Sequence, residues 1–138
     1  MTPEEDISGW RTNKNFLKWM TTINPGLTEE EVLRFTPEKW IGGWCEDFAL
    51  YFAVRWNVPM RFLNDEHDLV KIDGKYYDGA DTHGKERLQD MQFVREHDSL
   101  YKLTEEELEK LLVEDVEWKN YKPLASRVHL IEKARQGR

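Results

Sequence analysis

Apolar positions along this chain recur at helical spacing on either side of one segment that alternates like a strand. Thr2-Pro3-Glu4-Glu5 reads as a helix start, with Thr as the cap, Pro at the first helical position and Glu three residues after the cap. Phe16, Trp19, Met20 and Ile23 then predict a helix over 15–23, stopped by Asn24-Pro25-Gly26. Thr28-Glu29-Glu30-Glu31 is a capping box opening a short helix through Val32, Leu33 and Phe35, and Thr36-Pro37-Glu38 repeats the cap-then-proline signal. Phe48 and Phe52, with Ala49 and Ala53 beside them, predict a helix from about Cys45 to Trp56. Asn57-Val58-Pro59 ends it. Met60 to Leu63 is a candidate strand and Asn64-Asp65-Glu66 a polar turn.

The strongest local signal follows. The runs His67 to Ile72 and Lys75 to Asp78 flank Asp73-Gly74, which predicts a hairpin with a two-residue loop. That loop fixes a register: Ile72 opposite Lys75, Lys71 opposite Tyr76, Val70 opposite Tyr77, Leu69 opposite Asp78 and His67 opposite Ala80. Because side chains alternate, His67 and Asp78 fall on one face as diagonal neighbours about 7–8 Å apart at the backbone, within side-chain reach. Asp81 would point the other way if the ladder continued.

Residues 79–84 read as a loop. Leu88, Met91 and Val94 predict a helix within Lys85 to Glu96. Thr104 to Glu107 is a third capping box, with Leu108, Leu111 and Leu112 as its helix stripe and its glutamates on a solvated face. Pro123 precedes a last helix from about Leu124 to Ala134. The chain reads as a single α+β domain, 1–138, with a core at 36–83 and helical flanks at 1–35 and 84–138.

Composition narrows the class. A 138-residue chain with six Trp, six Phe and five Tyr can bury a real core. No apolar run is long enough to span a bilayer, and the acidic Met1 to Asp6 lacks the apolar segment of a secretory signal. A lone cysteine excludes an internal disulfide and fits a reducing, cytoplasmic setting. The net charge of −7 argues against broad nucleic-acid binding. The charge is uneven, however: residues 118–138 carry six basic residues against Glu132, so +5, leaving −12 for the rest. Leu124, Val128, Leu130 and Ile131 give that tail an apolar face, which favours docking on its own acidic body over reaching a partner or a nucleic acid.

Chemistry concentrates at Cys45. Gly42-Gly43-Trp44 leads into it and Glu46-Asp47 follow in the first helical turn. A thiol at a helix start gains from backbone N–H groups and the dipole, which stabilise a thiolate and a developing oxyanion. A lone cysteine is also commonly a small buried hydrophobe. A nucleophile needs a base, and the base an orienting acceptor; His67 and Asp78 supply both. Asp81 and His83 are substitutes for these roles. Asp65, Glu66, His67 and Asp68 hint at a metal cluster, but neighbours on a strand face opposite ways. His97 and His129 lack partners nearby in sequence. No P-loop, dinucleotide fingerprint or zinc spacing is present, so no cofactor is expected.

Gly43-Trp44-Cys45-Glu46-Asp47-Phe48-Ala49, followed by His67 through Asp78, resembles the papain-like cysteine hydrolases, in outline the transglutaminase-like proteins and their compact bacterial and phage relatives. The resemblance covers about residues 42–80. It implies a papain-like core, with the cysteine helix packed on a small antiparallel sheet. It further implies acyl transfer from an amide or peptide substrate, with Cys45 as nucleophile, His67 as general base then acid, and Asp78 as orienter. No Gln lies upstream of Cys45, so the Cys45 N–H and the indole of Trp40 or Trp44 are the expected oxyanion and substrate-lining groups. The alternative is the same fold with a dead site, a phage-type inhibitor or adaptor that docks a partner protein.

Overall fold

The computed structural model describes residues 1–63 and 67–115. The turn expected at 64–66, the basic tail and the closing helix lie outside the described residues, as does His129.

The capping signals become helices with their caps in place. Helix α1 (Pro3–Ser8) is opened by Thr2, whose hydroxyl accepts from the Glu5 N–H at 3.1 Å while the Glu5 carboxylate reaches back to Thr2. Asn13 caps α2 (Lys14–Ile23), Thr28 and Glu31 form the box at α3 (Glu29–Leu33), and Thr36 caps α4 (Pro37–Ile41). Each cap satisfies an N–H with no partner inside its helix, a contribution of about 1 kcal/mol. Helix α3 stops at Leu33, short of the expected Phe35. Leu33 stays exposed while Phe35 turns inward against Trp40 and Trp44.

Helix α5 (Cys45–Trp56) is the strut of the molecule. All but two of its residues are buried, so it must be wrapped on every side. Phe48, Tyr51 and Phe52 pack around Phe16 with ring centroids 5.0–5.7 Å apart, in a cluster joined by Trp10, Trp19 and Trp40. Asn57 ends the helix in the left-handed conformation, φ 55°.

Four strands, β1 (Met60–Leu63), β2 (His67–Ile72), β3 (Lys75–Tyr77) and β4 (Leu112–Asp115), form an antiparallel sheet in the order β3-β2-β1-β4. The hairpin keeps the expected register at Ile72–Lys75, Lys71–Tyr76 and Val70–Tyr77, with Asp73 and Gly74 both at positive φ as its tight loop requires. The ladder ends at Tyr77. The expected Leu69–Asp78 and His67–Ala80 pairs are not part of it, because the Asp78 side chain accepts from the N–H groups of Ala80 and Asp81 and curls the chain away.

Both faces of the sheet are covered. Met60, Val70, Ile72 and Tyr77 join the aromatic cluster around α5, while Leu63, Leu69 and Tyr76 meet Leu88, Met91, Val94 and Leu108. This explains why β2 is buried almost throughout rather than alternating. The architecture is therefore α+β.

Three further sequence expectations are corrected. The helix placed over Lys85 to Glu96 is broken up: Lys85 pairs with Tyr76 as a bridge, Leu88–Asp90 is a 3-10 turn, and only Gln92–Arg95 is helical (α6). Arg87 and Met91 are extended, so the apolar spacing there serves a sheet-covering loop. Helix α7 (Glu105–Leu111) carries its capping box, but Leu112 begins β4 instead of closing the helix stripe. Pairing with β1 overrides local helical preference. Among the α7 glutamates, Glu105 is not simply solvated; its carboxylate accepts from the N–H groups of Leu88 and Gln89 at 2.8 and 2.9 Å.

Candidate active site

Cys45 is the first residue of α5. Gly43 precedes it at φ 137°, a backbone conformation that side chains disfavour; it lets the chain turn sharply out of α4 into α5. Trp44, at the cap position, makes no side-chain cap hydrogen bond. The positive end of α5 is thus left uncapped by a side chain at the thiol.

His67 opens β2 and its Nε2 lies 2.7 Å from Asp78 Oδ2. The two side chains meet in a direct hydrogen bond, although the strand pairs from which their diagonal placement was expected are not formed. Each residue is only 1% exposed. The other Asp78 oxygen accepts from Ala80 N at 3.0 Å and Asp81 N at 2.7 Å, so the carboxylate is aimed by its own turn. The imidazole lies flat on Phe93 of α6, centroids 4.1 Å apart and planes 18° from parallel. Ring orientation is fixed from the edge by Asp78 and from the face by Phe93.

With Nε2 committed to Asp78, Nδ1 is left for the thiol. Burial lowers the affinity of the ring for a proton, but the hydrogen bond to Asp78, then contact with Cys45 and the charges of both groups, outweigh it, and the His67 pKa is pushed up to about 9. Cys45 and His67 are thus in electrostatic contact, yet buried Nδ1 makes no hydrogen bond of ordinary geometry. The Cys45 thiol also donates to Asp68 Oδ2, 3.6 Å away. Cys45 is 8% exposed, so the thiol is covered but not sealed.

The alternatives named from sequence fall elsewhere. Asp81 accepts from the Gln92 N–H at 2.8 Å and anchors the start of α6, the helix that carries Phe93; burial raises its pKa, with the Gln92 N–H opposing. His83 is exposed and faces Glu4 at 3.5 Å. His97 lies on Phe93 and meets the Ser99 hydroxyl. Among the described residues no three His, Cys, Asp or Glu side chains are placed to hold a metal, and no helix is long and apolar enough to cross a membrane.

Trp44 is half-buried next to the thiol and packs on Phe35. Trp40 is buried in the aromatic cluster, its indole N–H without a hydrogen-bond partner. Its ring lies against Gly79, where an added Cβ would come within 2.3 Å of Trp40 Cγ. Trp40 thus walls the turn that holds Asp78.

Two residues at the site escape sequence reasoning. Asp68 is set aside by strand alternation, which sends it to the face opposite His67; that is the face against which α5 packs, so it meets the sulfur from below. Phe93 carries no signal, since its partner lies 26 positions away in the chain. A separate hollow of about 250 Å³ lies at the other end of α5, floored by Asp6 and Arg55. Comparison of the chain with protein-family models, curated proteins and solved structures finds no match.

Proposed function

We propose that this protein is a cysteine-dependent hydrolase or acyltransferase acting on an amide or peptide bond. The observation that carries the reading is the His67–Asp78 hydrogen bond of 2.7 Å with Cys45, at the head of α5, in contact with the same ring. A nucleophile, a proton carrier and an orienting carboxylate converge from one helix and two strand ends.

In this mechanism the Cys45 sulfur attacks the substrate carbonyl. A ring that keeps its proton up to about pH 9 is cationic at neutral pH. It therefore balances the negative charge of the tetrahedral intermediate and then gives its Nδ1 proton to the departing amine. Asp78, held by two backbone N–H groups, keeps Nε2 occupied and stabilises the imidazolium. The Cys45 N–H, at the uncapped end of α5, faces the position of the tetrahedral oxyanion, with Trp44 lining the approach. Water or an amine then takes the acyl group from sulfur, with His67 accepting the proton in return.

Stoichiometric alkylation of Cys45 by iodoacetamide near pH 6, lost in His67→Ala, is the expected result. Slow alkylation unaffected by His67→Ala would discard the enzyme reading. A second reading, the same fold as an inactive module docking a partner protein, is favoured by one observation: the thiol proton is turned to Asp68. Partner binding unchanged in Cys45→Ser, without turnover by the wild-type protein, supports that reading.

A further inference from the structure

The far end of α5 borders a polar hollow that the chemistry at Cys45 does not use. It has a volume of about 250 Å³ and is lined from α1, the start of α2 and the last turn of α5. That is far more room than one water needs, and it stands at the small end of ligand pockets. Its floor is a buried ion pair with capacity left over. Asp6 is 4% and Arg55 7% exposed. Asp6 Oδ2 accepts from Arg55 Nε at 2.5 Å and from the Trp56 indole N–H at 2.8 Å. One oxygen thus takes both donors, and Oδ1 accepts no hydrogen bond among the described residues. A guanidinium carries five N–H donors. Asp6 takes the one on Nε and the Tyr51 hydroxyl lies beside the group, so donors on the terminal nitrogens remain. Lys14, exposed at the first position of α2, brings a second cation to the wall. Glu5 also lines the hollow, but its carboxylate closes the capping box of α1 and lies in the field of the Met1 amino group. The hollow therefore offers an acceptor for a cation, Asp6 Oδ1, directly beside donors for an anion, Arg55 and Lys14.

We propose that this hollow binds a small zwitterion of the α-amino-acid type, with its carboxylate on the terminal nitrogens of Arg55 and on Lys14, and its ammonium on Asp6 Oδ1. An α-amino acid carries its two charged groups on adjacent carbons, which matches an arginine and an aspartate that are themselves in contact. Arginine takes a carboxylate through two parallel N–H bonds. A simple anion meets the Asp6 charge and a simple cation meets that of Arg55, whereas a zwitterion is complementary to both. The volume restricts the ligand to a few heavy atoms beyond the two charged groups. Arg55 lies about 15 Å along α5 from Cys45, so this site is independent of the Cys45–His67–Asp78 reading.

The Trp56 indole N–H, bonded to Asp6, reports on the site. Its NMR signal, assigned by its loss in Trp56→Phe, is followed in the full chain at low salt and about pH 6, where an α-amine is protonated, as L-alanine, L-lactate or L-alaninamide is added. Lactate keeps the carboxylate and replaces the ammonium by a hydroxyl; alaninamide keeps the ammonium and loses the carboxylate charge. The expected result is a saturable shift with alanine and dissociation constants about tenfold or more higher for both analogues, the size of one charge-assisted hydrogen bond. Lys14 stands outside the buried pair, so Lys14→Gln keeps the fold; it should weaken alanine and lactate about two- to fivefold, the range of an exposed charge, and leave alaninamide unchanged. No saturable shift with alanine up to about 0.1 M, far above millimolar affinity, overturns the proposal and leaves the ion pair as a tie between α1 and α5. Lactate or alaninamide binding as tightly as alanine, or Lys14→Gln acting equally on all three, overturns it as well. Cys45 alkylation enters none of these outcomes, so failure here and failure of the triad reading are distinct.

Discussion

Asp78 makes two kinds of contact that substitution can separate. One oxygen binds His67, and the other accepts from the N–H groups of Ala80 and Asp81. Asp78→Ala removes all three bonds. A hydrogen bond to a charged group contributes about 1.5–3 kcal/mol, and a buried donor left unpaired costs a similar amount. The sealed His67 bond counts at roughly 2 kcal/mol on that scale. The two loop N–H groups count at roughly 1 kcal/mol each, because Ala80 and Asp81 are half-buried and water can replace the oxygen. The expected loss is about 4 kcal/mol, a large part of a typical 5–15 kcal/mol. Asp78→Asn keeps a carbonyl oxygen for the loop and loses the charge, for an expected cost of about 1–2 kcal/mol. Urea unfolding followed by tryptophan fluorescence should place the Ala variant about 2 M below wild type and the Asn variant about 0.5–1 M below, at a slope near 2 kcal/mol per M. Alkylation of Cys45 at pH 6 should fall in both, since neither holds the imidazolium. Equal destabilisation by Ala and Asn, or none by either, would refute the assignment of two roles to one carboxylate.

Three further outcomes follow from the same geometry. The His67 pKa rises from 6.5 to about 9 on folding, so its contribution to stability is fully present below pH 6.5 and is lost as pH rises through 9; wild type should lose up to about 3 kcal/mol across that window, and His67→Gln should show a flatter profile in urea titrations at successive pH values. Gly79→Ala drives a Cβ into the Trp40 ring and should cost about 1–3 kcal/mol while also lowering Cys45 alkylation, because Asp78 is carried on the same turn. Asp6→Ala strands buried Arg55, whose Nε lies 2.5 Å from Asp6 Oδ2, and the Trp56 indole N–H at 2.8 Å; it should cost about 3–5 kcal/mol yet leave the alkylation rate of the folded protein unchanged, since Arg55 lies about 15 Å along α5 from Cys45.

What the sequence discloses, and what it hides, follows the range of the forces involved. Thr2, Thr28, Thr36 and Thr104 each bond to a backbone N–H three residues on, so their helices are readable locally. Asp73-Gly74 sets a register that holds as far as Tyr77; the last step to His67 is made by the turn at Asp78 and not by the expected Leu69–Asp78 pairing. Strand β4 is hidden because Leu111-Leu112-Val113 continues the stripe of α7, and only β1, some fifty residues earlier, makes it a strand. The 85–96 segment misleads for a related reason: Leu88, Met91 and Val94 all face one surface, but that surface is the underside of the sheet, and Lys85 is tied to Tyr76. At the site, alternation along the hairpin leads to His67 and Asp78, which do meet, though Asp78 lies past the end of β3. It also dismisses Asp68, although the nucleophile arrives on α5 from the face to which Asp68 points.

The claim on which these expectations depend is that thiol, imidazole and carboxylate act on one another. Titration of the His67 ring by NMR, in wild type, Cys45→Ser and Asp78→Asn, measures that coupling directly. The ring should hold its proton to about pH 9 in wild type and release it at distinctly lower pH in each variant. A ring that titrates at or below 6.5 in wild type, or is indifferent to the loss of the sulfur, would contradict it.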